Sequence, residues 1–352
     1  MVPHQRLNSS DPGKSQSDLR VVAIGGGTGL STLLKGLKRY VLTPALAASG
    51  ENAIRELCGV VTVSDDGGSS GRLRKEFNML PPGDVRNCIV ALSEDEALLS
   101  RLFQHRFQKG SGLEGHSFGN LFLAALTSIT GDFAEAVRLS SEILLTRGHI
   151  YPATTSNVEL EAEFEDGTRV RGETRITASK GKIRELFLVP SDVKPLQQTL
   201  EAIAAADLIT IGPGSLFTSL IPNLLVHGIA EAILDSHAIK VYVCNLMTQA
   251  NESLDLTAAE HIQALNRHAR AQLFDYALIN RKPASEDVKA KYAVEGASQI
   301  VVDLEAIEAL GVCPVLGDYL EEGAVARHAT EQVARDLMAL MAQAPERQPT
   351  AR

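Results

Sequence analysis

Gly25, Gly26, Gly27, Thr28 and Gly29 carry the strongest chemistry in this sequence. Glycines let backbone N–H groups approach a phosphate with no Cβ in the way, and a helix that starts there turns its positive end toward the anion. Thr28 and Ser31 add hydroxyl donors. The spacing is not the strict dinucleotide fingerprint, and no Gly-Lys-Ser/Thr follows, which argues against a Walker-type NTPase. The plain alternative is a tight strand-to-helix turn that binds nothing. A second turn, Gly212, Pro213, Gly214 and Ser215, repeats the pattern. Two such turns on one sheet point to one crevice at its carboxyl edge.

Acids follow. Asp65 and Asp66 precede Gly67, Gly68, Ser69, Ser70 and Gly71 at the end of an apolar run. There they can hold ribose hydroxyls, or Mg2+ that touches phosphate. Asp-Gly and Ser-rich loops also turn readily without any ligand. Arg86, between a Pro-Pro-Gly turn and an apolar stretch, is the better phosphate partner. Arg74 and Lys75 read as a solvated helix face. His116, Ser117 and Asn120 stand at a helix start, where the histidine can act as acid or base and the others as caps. Asn245 and Gln249, beyond a later strand, suit a sugar or a base, and helix capping explains them nearly as well.

These residues need a frame to hold them. Leu19 to Ile24 is β-branched and apolar, and Leu30, Leu33, Leu34 and Leu37 then recur at helical spacing. Strand, glycine loop, helix opens a Rossmann-like unit. A second strand is expected at Leu57 to Val63, with a loop to Gly71 too polar for the core. Helices are expected near Cys88 to Leu92, Leu121 to Ile129, and from Asp132 to about Leu145. Residues 150 to 190 alternate instead, with strands at Val158 to Phe164, Arg169 to Ile176 and Ile183 to Val189. Asp166-Gly167 and Lys180-Gly181 are their hairpin turns. The framework then resumes with a helix from Pro195 to Ala206, strands at Asp207 to Ile211 and Ile239 to Cys244, and a helix from Thr257 to His268. Short strands near Tyr276 to Ile279 and Gln299 to Val302 precede a last helix, His328 to about Met341. The fold class is α/β: a Rossmann-like, mostly parallel sheet with helices on both faces and an inserted small antiparallel β lobe. Residues 19 to 342 make one domain between polar tails at 1 to 18 and 343 to 352.

Composition narrows the partners. The 352 residues are 44% hydrophobic with a formal net charge of -9, so neither nucleic acid nor a membrane surface is attracted in general. No apolar run reaches the length of a membrane span, and the first residues lack a signal-peptide core. The four cysteines form no CxxC pair, and Cys58, Cys88 and Cys244 read as buried, reduced and cytoplasmic.

Six blocks, from IGGGTGLSTLLKGL through VTVSDDGGSSGRLR, PPGDVRNC, EGHSFGNLFL and ITIGPGSLFTSLIPNLLV to CNLMTQANES, resemble the bacterial gluconeogenesis factor family in order. That family is a sibling of the CofD phospholactate transferases. The resemblance implies a Rossmann-like fold, binding of UDP-sugars such as UDP-N-acetylglucosamine, and a role in gluconeogenic carbon metabolism, cell-wall supply and cell shape. It brings no established reaction. It carries over Gly25 to Gly29, Asp65 and Asp66, His116 to Asn120, and Gly212 to Ser215. Asn251 to Leu256 departs from the expected Gly-Glu-Thr and aromatic residue. Two functions stay open: a nucleotide-sugar-binding regulator without turnover, and a CofD-type phosphotransferase with Mg2+ on Asp65 or Asp66. A dehydrogenase fits poorly. No cofactor follows outright, and Mg2+ is the one these acids would suit. A homo-oligomer and cell-wall synthesis proteins are partners the sequence allows.

Overall fold

A computed structural model describes residues 19–49, 52–94 and 98–343. Both expected tails lie outside them, apart from Gln343, which ends the last helix. The frame is a seven-stranded sheet in the order β10-β9-β8-β7-β1-β2-β3, parallel throughout. Its strands are β1 (Leu19–Gly25), β2 (Ile54–Val61), β3 (His149–Pro152), β7 (Leu208–Ile211), β8 (Ile239–Val243), β9 (Tyr276–Asn280) and β10 (Cys313–Gly317). β1 is central and both its faces are covered. Val21, Val22, Ala23 and Ile24 are all buried, which is why the run is apolar without alternation.

The chain steps from β1 to β2 and β3 on one side, then returns to β7 on the other. Connections leaving β1 and β7 therefore diverge, and the crevice opens between them. Both glycine turns sit at that point. Helices α1 (Gly27–Leu37), α2 (Gly68–Phe77), α3 (Gly83–Leu92), α4 (Phe118–Thr130) and α5 (Phe133–Ile143) follow in the first half. Ser117 caps α4 by accepting from Asn120 N, and Asp132 caps α5 by accepting from Glu135 N.

The lobe is a three-stranded antiparallel sheet, β5-β4-β6, of β4 (Glu159–Phe164), β5 (Arg169–Arg171) and β6 (Ile183–Val189). It is smaller than the sequence suggests, because His149–Pro152 pairs with β2 and belongs to the main sheet. The strand expected over Arg169 to Ile176 stops at Arg171. Gly172 turns at φ +100° and starts a helix, α6 (Glu173–Ala178), whose Thr174 is held by Asp66. Lys180-Gly181 therefore joins a helix to a strand rather than closing a hairpin.

After the lobe come α7 (Gln197–Ala205), the π turn Leu216–Leu220 that opens α8 (Ile221–Leu224), α9 (Ala258–Ala269) and α10 (Thr330–Gln343). Thr257 and Glu260 close a capping box on α9. Three further expectations need correction. The loop after β2 turns helical at Gly68, and Ser69 and Ser70 are buried. Arg74 is buried too, since its guanidinium donates to Asn157 Oδ1 and the Val158 carbonyl at the base of the lobe. Gln299 to Val302 makes only an isolated bridge to Met247, and the last strand of the seven-stranded sheet is Cys313–Gly317. The inward side chain there is Ile300, docked through its N–H on the Leu246 carbonyl.

Candidate functional site

β1 hands the chain to α1 through a turn that only glycine can make. Gly27 sits at φ +61°, and a Cβ on Gly26 would lie 2.6 Å from Thr62 Cγ2. The second turn, after β7, has Gly212 at φ +88°. The two turns touch: a Cβ on Gly29 would lie 2.2 Å from the Pro213 carbonyl oxygen. Asn223, fully buried on α8, ties the first turn to the π turn that follows the second. Its Nδ2 donates to Gly25 O at 3.2 Å and to Ser219 O at 2.8 Å. Asn245 braces the second turn by accepting from Gly214 N at 3.2 Å and donating to Gly214 O at 2.7 Å. It caps no helix.

Above the turns lies a cleft of about 320 Å³ lined by Gly26, Gly27, Thr28, Gly29, Gly214, Ser215 and Asn245 among others. Gly25 and Gly212 shape it from behind. It continues, past Ser215, Thr248, Gln249 and Tyr292, into an outer chamber of about 610 Å³. Among the described residues neither space has lysine or arginine in its lining. Any anion held here rests on backbone amides, on hydroxyls such as that of Thr28, or on an added cation.

The helix ends facing this cleft already hold carboxylates of the protein itself. Asp84 Oδ2 accepts from Gly27 N at 2.7 Å, at the start of α1. Glu252 Oε1 accepts from Phe217 N at 2.9 Å and Thr218 N at 2.8 Å, in the turn that leads to α8. Burial pushes Asp84 up to about 6 against the pull of the Gly27 N–H, and Asp65 nearby adds to the rise. Burial likewise raises Glu252, opposed by its two amides. Glu173, at the wall of the outer chamber, is raised to about 7 by burial and by Asp65, Asp66, Glu252 and Asp84.

The remaining expected site residues stand beside the cleft, outside its lining. Asp65 Oδ1 accepts from Gly67 N at 2.8 Å, which is an Asx turn. Asp66 Oδ1 accepts from Thr174 N at 2.9 Å and Thr174 Oγ1 at 2.5 Å, so it anchors the lobe. Arg86, His116, Ser117 and Asn120 form a buried layer between α2, α3 and α4. Arg86 donates to Ser117 Oγ, to Asn120 Oδ1 at 2.9 Å and to Asn87 Oδ1 at 2.7 Å. Asn120 Nδ2 donates to Ser69 Oγ at 3.1 Å, which leaves the Ser69 proton for His116 Nδ1 at 2.9 Å. Burial holds His116 below its ordinary value. Arg86 Nε is the one guanidinium nitrogen of this layer without a partner among the described residues.

Among the described residues no three His, Cys, Asp or Glu side chains are grouped to hold a metal ion. Mg2+ in a phosphate site asks for less, namely one or two carboxylates beside phosphate and water. Asp65 and Asp84 suit that role best, since Asp65 Oδ2 faces Gly83, where a Cβ would lie 3.3 Å away, and its charge is felt by Asp84 at the first glycine turn. Asp66, occupied by Thr174, suits it less. Sequence reasoning missed Asp84, Asn223, Glu173 and Glu252. Only Asp84 carried a signal, as an acid in the first turn of a helix opened by Pro81-Pro82-Gly83.

Comparison with known proteins completes the description. The family described as 2-phospho-L-lactate transferase CofD matches residues 21–320. The gluconeogenesis factor of Halalkalibacterium halodurans is 51% identical over 320 residues, covering 90% of this chain and 95% of the relative. That of Bacillus subtilis is 46% identical over 324 residues, covering 92% and 98%. A crystal structure from Bacillus halodurans superposes with a TM-score of 0.86 at 49% identity, over 92% of this chain and 100% of the other. No single helix among the described residues is long and apolar enough to cross a membrane.

Proposed function

The chain belongs to the gluconeogenesis factor family, and on that footing we propose that it is a nucleotide-sugar-binding regulatory protein of the cytoplasm, acting without turnover. Its ligand is a UDP-sugar such as UDP-N-acetylglucosamine. Its role is to link gluconeogenic carbon metabolism to cell-wall synthesis and cell shape. One observation carries the reading: two glycine turns abut at the switch point of a parallel sheet and face one cleft, with no Walker lysine. A diphosphate fits such a cradle through amides, and the rest of the ligand extends along the cleft. Thermal unfolding with UDP-N-acetylglucosamine, NAD or ATP is the test. The UDP-sugar should raise the midpoint most, because a ligand that binds only the native state stabilises it by mass action. A clear NAD shift without a UDP-sugar shift sinks the reading.

A second reading is a Mg2+-dependent phosphotransferase of the CofD type. It is favoured by the carboxylates of Asp65 and Asp84 beside the amide cradle. Bound there, Mg2+ would supply the charge that holds and polarises a phosphate. The chain's own part would be to orient the phosphate on the Thr28 and Gly29 amides and to keep the first turn closed through Asp84. UMP, UDP or phosphosugar accumulating from a UDP-sugar and Mg2+ at roughly 1 per second or faster would move the assignment to this class.

A further inference from the structure

The outer chamber differs in kind from the glycine cleft it opens from. Glu173, Thr177, Thr218, Gln249, Asn251 and Glu295 line it with carboxyls, hydroxyls and amides. Glu173 and Thr177 lie four apart on α6 and so share one face of that helix. No hydrogen bond of the Glu173 carboxyl is formed within the described protein, although Asp65, Asp66, Asp84 and Glu252 surround it. The Gln249 amide oxygen, at the junction of the two spaces, is buried without a partner, while its Nε2 donates to Ser215 Oγ at 2.8 Å.

The position of this wall is specified. Asp66 grips the first turn of α6 through Thr174. A Cβ on Gly172 would lie 2.9 Å from Asp66 Oδ2, so the approach is as close as glycine permits. At the other end Asn251 Nδ2 donates to the Thr177 carbonyl at 3.3 Å. The lobe is thus fastened on both sides of Glu173, and one of the fasteners is the acidic loop after β2.

We propose that the outer chamber receives the uncharged, hydroxyl-rich end of a ligand whose phosphates lie in the glycine cleft, and that Glu173 is the side chain that reads it. Phosphate or carboxylate is refused there, because the wall offers acids and no cation. An apolar ring is refused too, because it would strip hydrogen bonds from threonines, amides and carboxyls alike. Hydroxyl groups donate to Glu173 and to the threonine oxygens, whose own protons go to the Glu173 carbonyl, Glu252 and the Ser298 carbonyl inside the protein, which suits a neutral glycosyl group. The inference rests on the proposed nucleotide-sugar reading and adds to it the sign of charge the site accepts.

The test is titration calorimetry on the full chain with Mg2+ present at about pH 8, above the value of about 7 to which Glu173 is raised, using UDP, UDP-glucose and UDP-glucuronate. The two sugars differ by a hydroxymethyl group against a carboxylate. The wild type should bind UDP-glucose more tightly than UDP, and UDP-glucuronate roughly tenfold or more weakly than UDP-glucose, as a like charge beside an acid wall demands. Glu173→Gln keeps the size of the side chain, so it should leave UDP affinity unchanged and shrink the glucose-to-glucuronate ratio several-fold. Glu173→Ala should lose the gain from the hexose and keep UDP binding. UDP binding with no gain from the hexose, or an equal preference for the two sugars, overturns the chamber alone. A Glu173→Gln variant that weakens UDP as much as UDP-glucose overturns it as well. No binding of any of the three overturns the nucleotide-sugar reading and the chamber with it. Should the variants fail to fold, the wild-type ratio of the two sugars decides by itself.

Discussion

Two polar regions flank the amino end of α3, and they are built on opposite plans. On one side the glycine turns offer backbone amides to an open cleft, and the side chains that brace them, Asn223 and Asn245, stand behind or beside. On the other, Arg86, Asn120, Ser69 and His116 form a chain in which almost every donor meets an acceptor inside the protein. A region built for a ligand keeps hydrogen-bonding capacity unspent. A satisfied buried layer rigidifies its surroundings and has little left to offer. The difference supports the proposal that the turns bind and the layer positions, even though both drew attention as sequence motifs.

The largest expected effect breaks the contact between the turns. Gly29→Ala would put a Cβ 2.2 Å from the Pro213 carbonyl, a clash that only separation of the turns relieves. A loss of about 3 kcal/mol or more in unfolding free energy is expected, with the thermal response to UDP-sugar abolished. A variant that unfolds like the wild type and still binds would mean the turns are not mutually fitted.

Arg86→Met tests the other region at nearly the same cost. Removing a buried hydrogen-bonded guanidinium strands Ser117, Asn120 and Asn87, so stability should fall by about 2 to 4 kcal/mol. Titration of the folded protein below its new melting range should find UDP-sugar affinity within about threefold of wild type. Affinity lost at unchanged stability would reverse the assignment and make Arg86 a phosphate partner after all.

A pH series sharpens the comparison at the first turn. Asp84 rises from 3.8 to about 6 on folding, so between those values the native state binds the extra proton. Stability contributed by its protonated form is present below about 4 and is lost as pH rises through about 6. The shift sets an upper bound of about 3 kcal/mol, from roughly 1.4 kcal/mol per unit. Asp84→Asn can still accept from Gly27 N through its amide oxygen, so it should flatten that part of the profile and be the more stable protein at pH 7. Chemical denaturation at pH 4, 5, 6 and 7 in the presence of a chelator reads the slope directly. A slope unchanged by the substitution removes Asp84 as its source.

How far the sequence could be read follows the range of the interactions. The glycine turns were legible because their requirement is local: a positive φ, a close approach, an apolar strand before and leucines at helical spacing after. Cys58, Cys88 and Cys244 were legible as core for the same reason, and all three are buried. Asp84 was not, because the amide it serves lies 57 residues away at Gly27. Glu252 meets Phe217 across 35 residues, and Asp66 meets Thr174 across 108. Arg74 looked like a solvated helix residue until the lobe supplied Asn157 and Val158 as acceptors. At the edge of the sheet, Gln299 to Val302 and Cys313 to Gly317 are both short apolar runs. Only a neighbour at β9 decides which one pairs.

The smallest effect separates two adjacent acids that the sequence presents as a pair. Asp66 spends one carboxylate oxygen on the exposed Thr174 amide and hydroxyl, and an asparagine oxygen can still accept both bonds. Asp66→Asn should therefore move neither the melting temperature nor UDP-sugar affinity by more than about 0.5 kcal/mol, the usual range for a substitution that disturbs no such feature. Asp65 also spends one oxygen on a turn, at Gly67, but its other oxygen faces Gly83 beside Asp84. If that oxygen serves Mg2+ or a ribose hydroxyl, Asp65→Asn lowers affinity by about 1 to 3 kcal/mol, as losing a charged hydrogen bond does. If the acid only repels the diphosphate, affinity rises in the same variant. If it only shapes the loop, affinity stays, because asparagine turns as readily as aspartate. Calorimetric titrations of the two single variants, each with and without Mg2+, resolve the cases. A loss at Asp65→Asn that appears only with Mg2+ present assigns the oxygen to the cation, and a loss equal in both conditions assigns it to the sugar. Equal losses at both positions would break the distinction drawn from Thr174 and return the two acids to a single shared site.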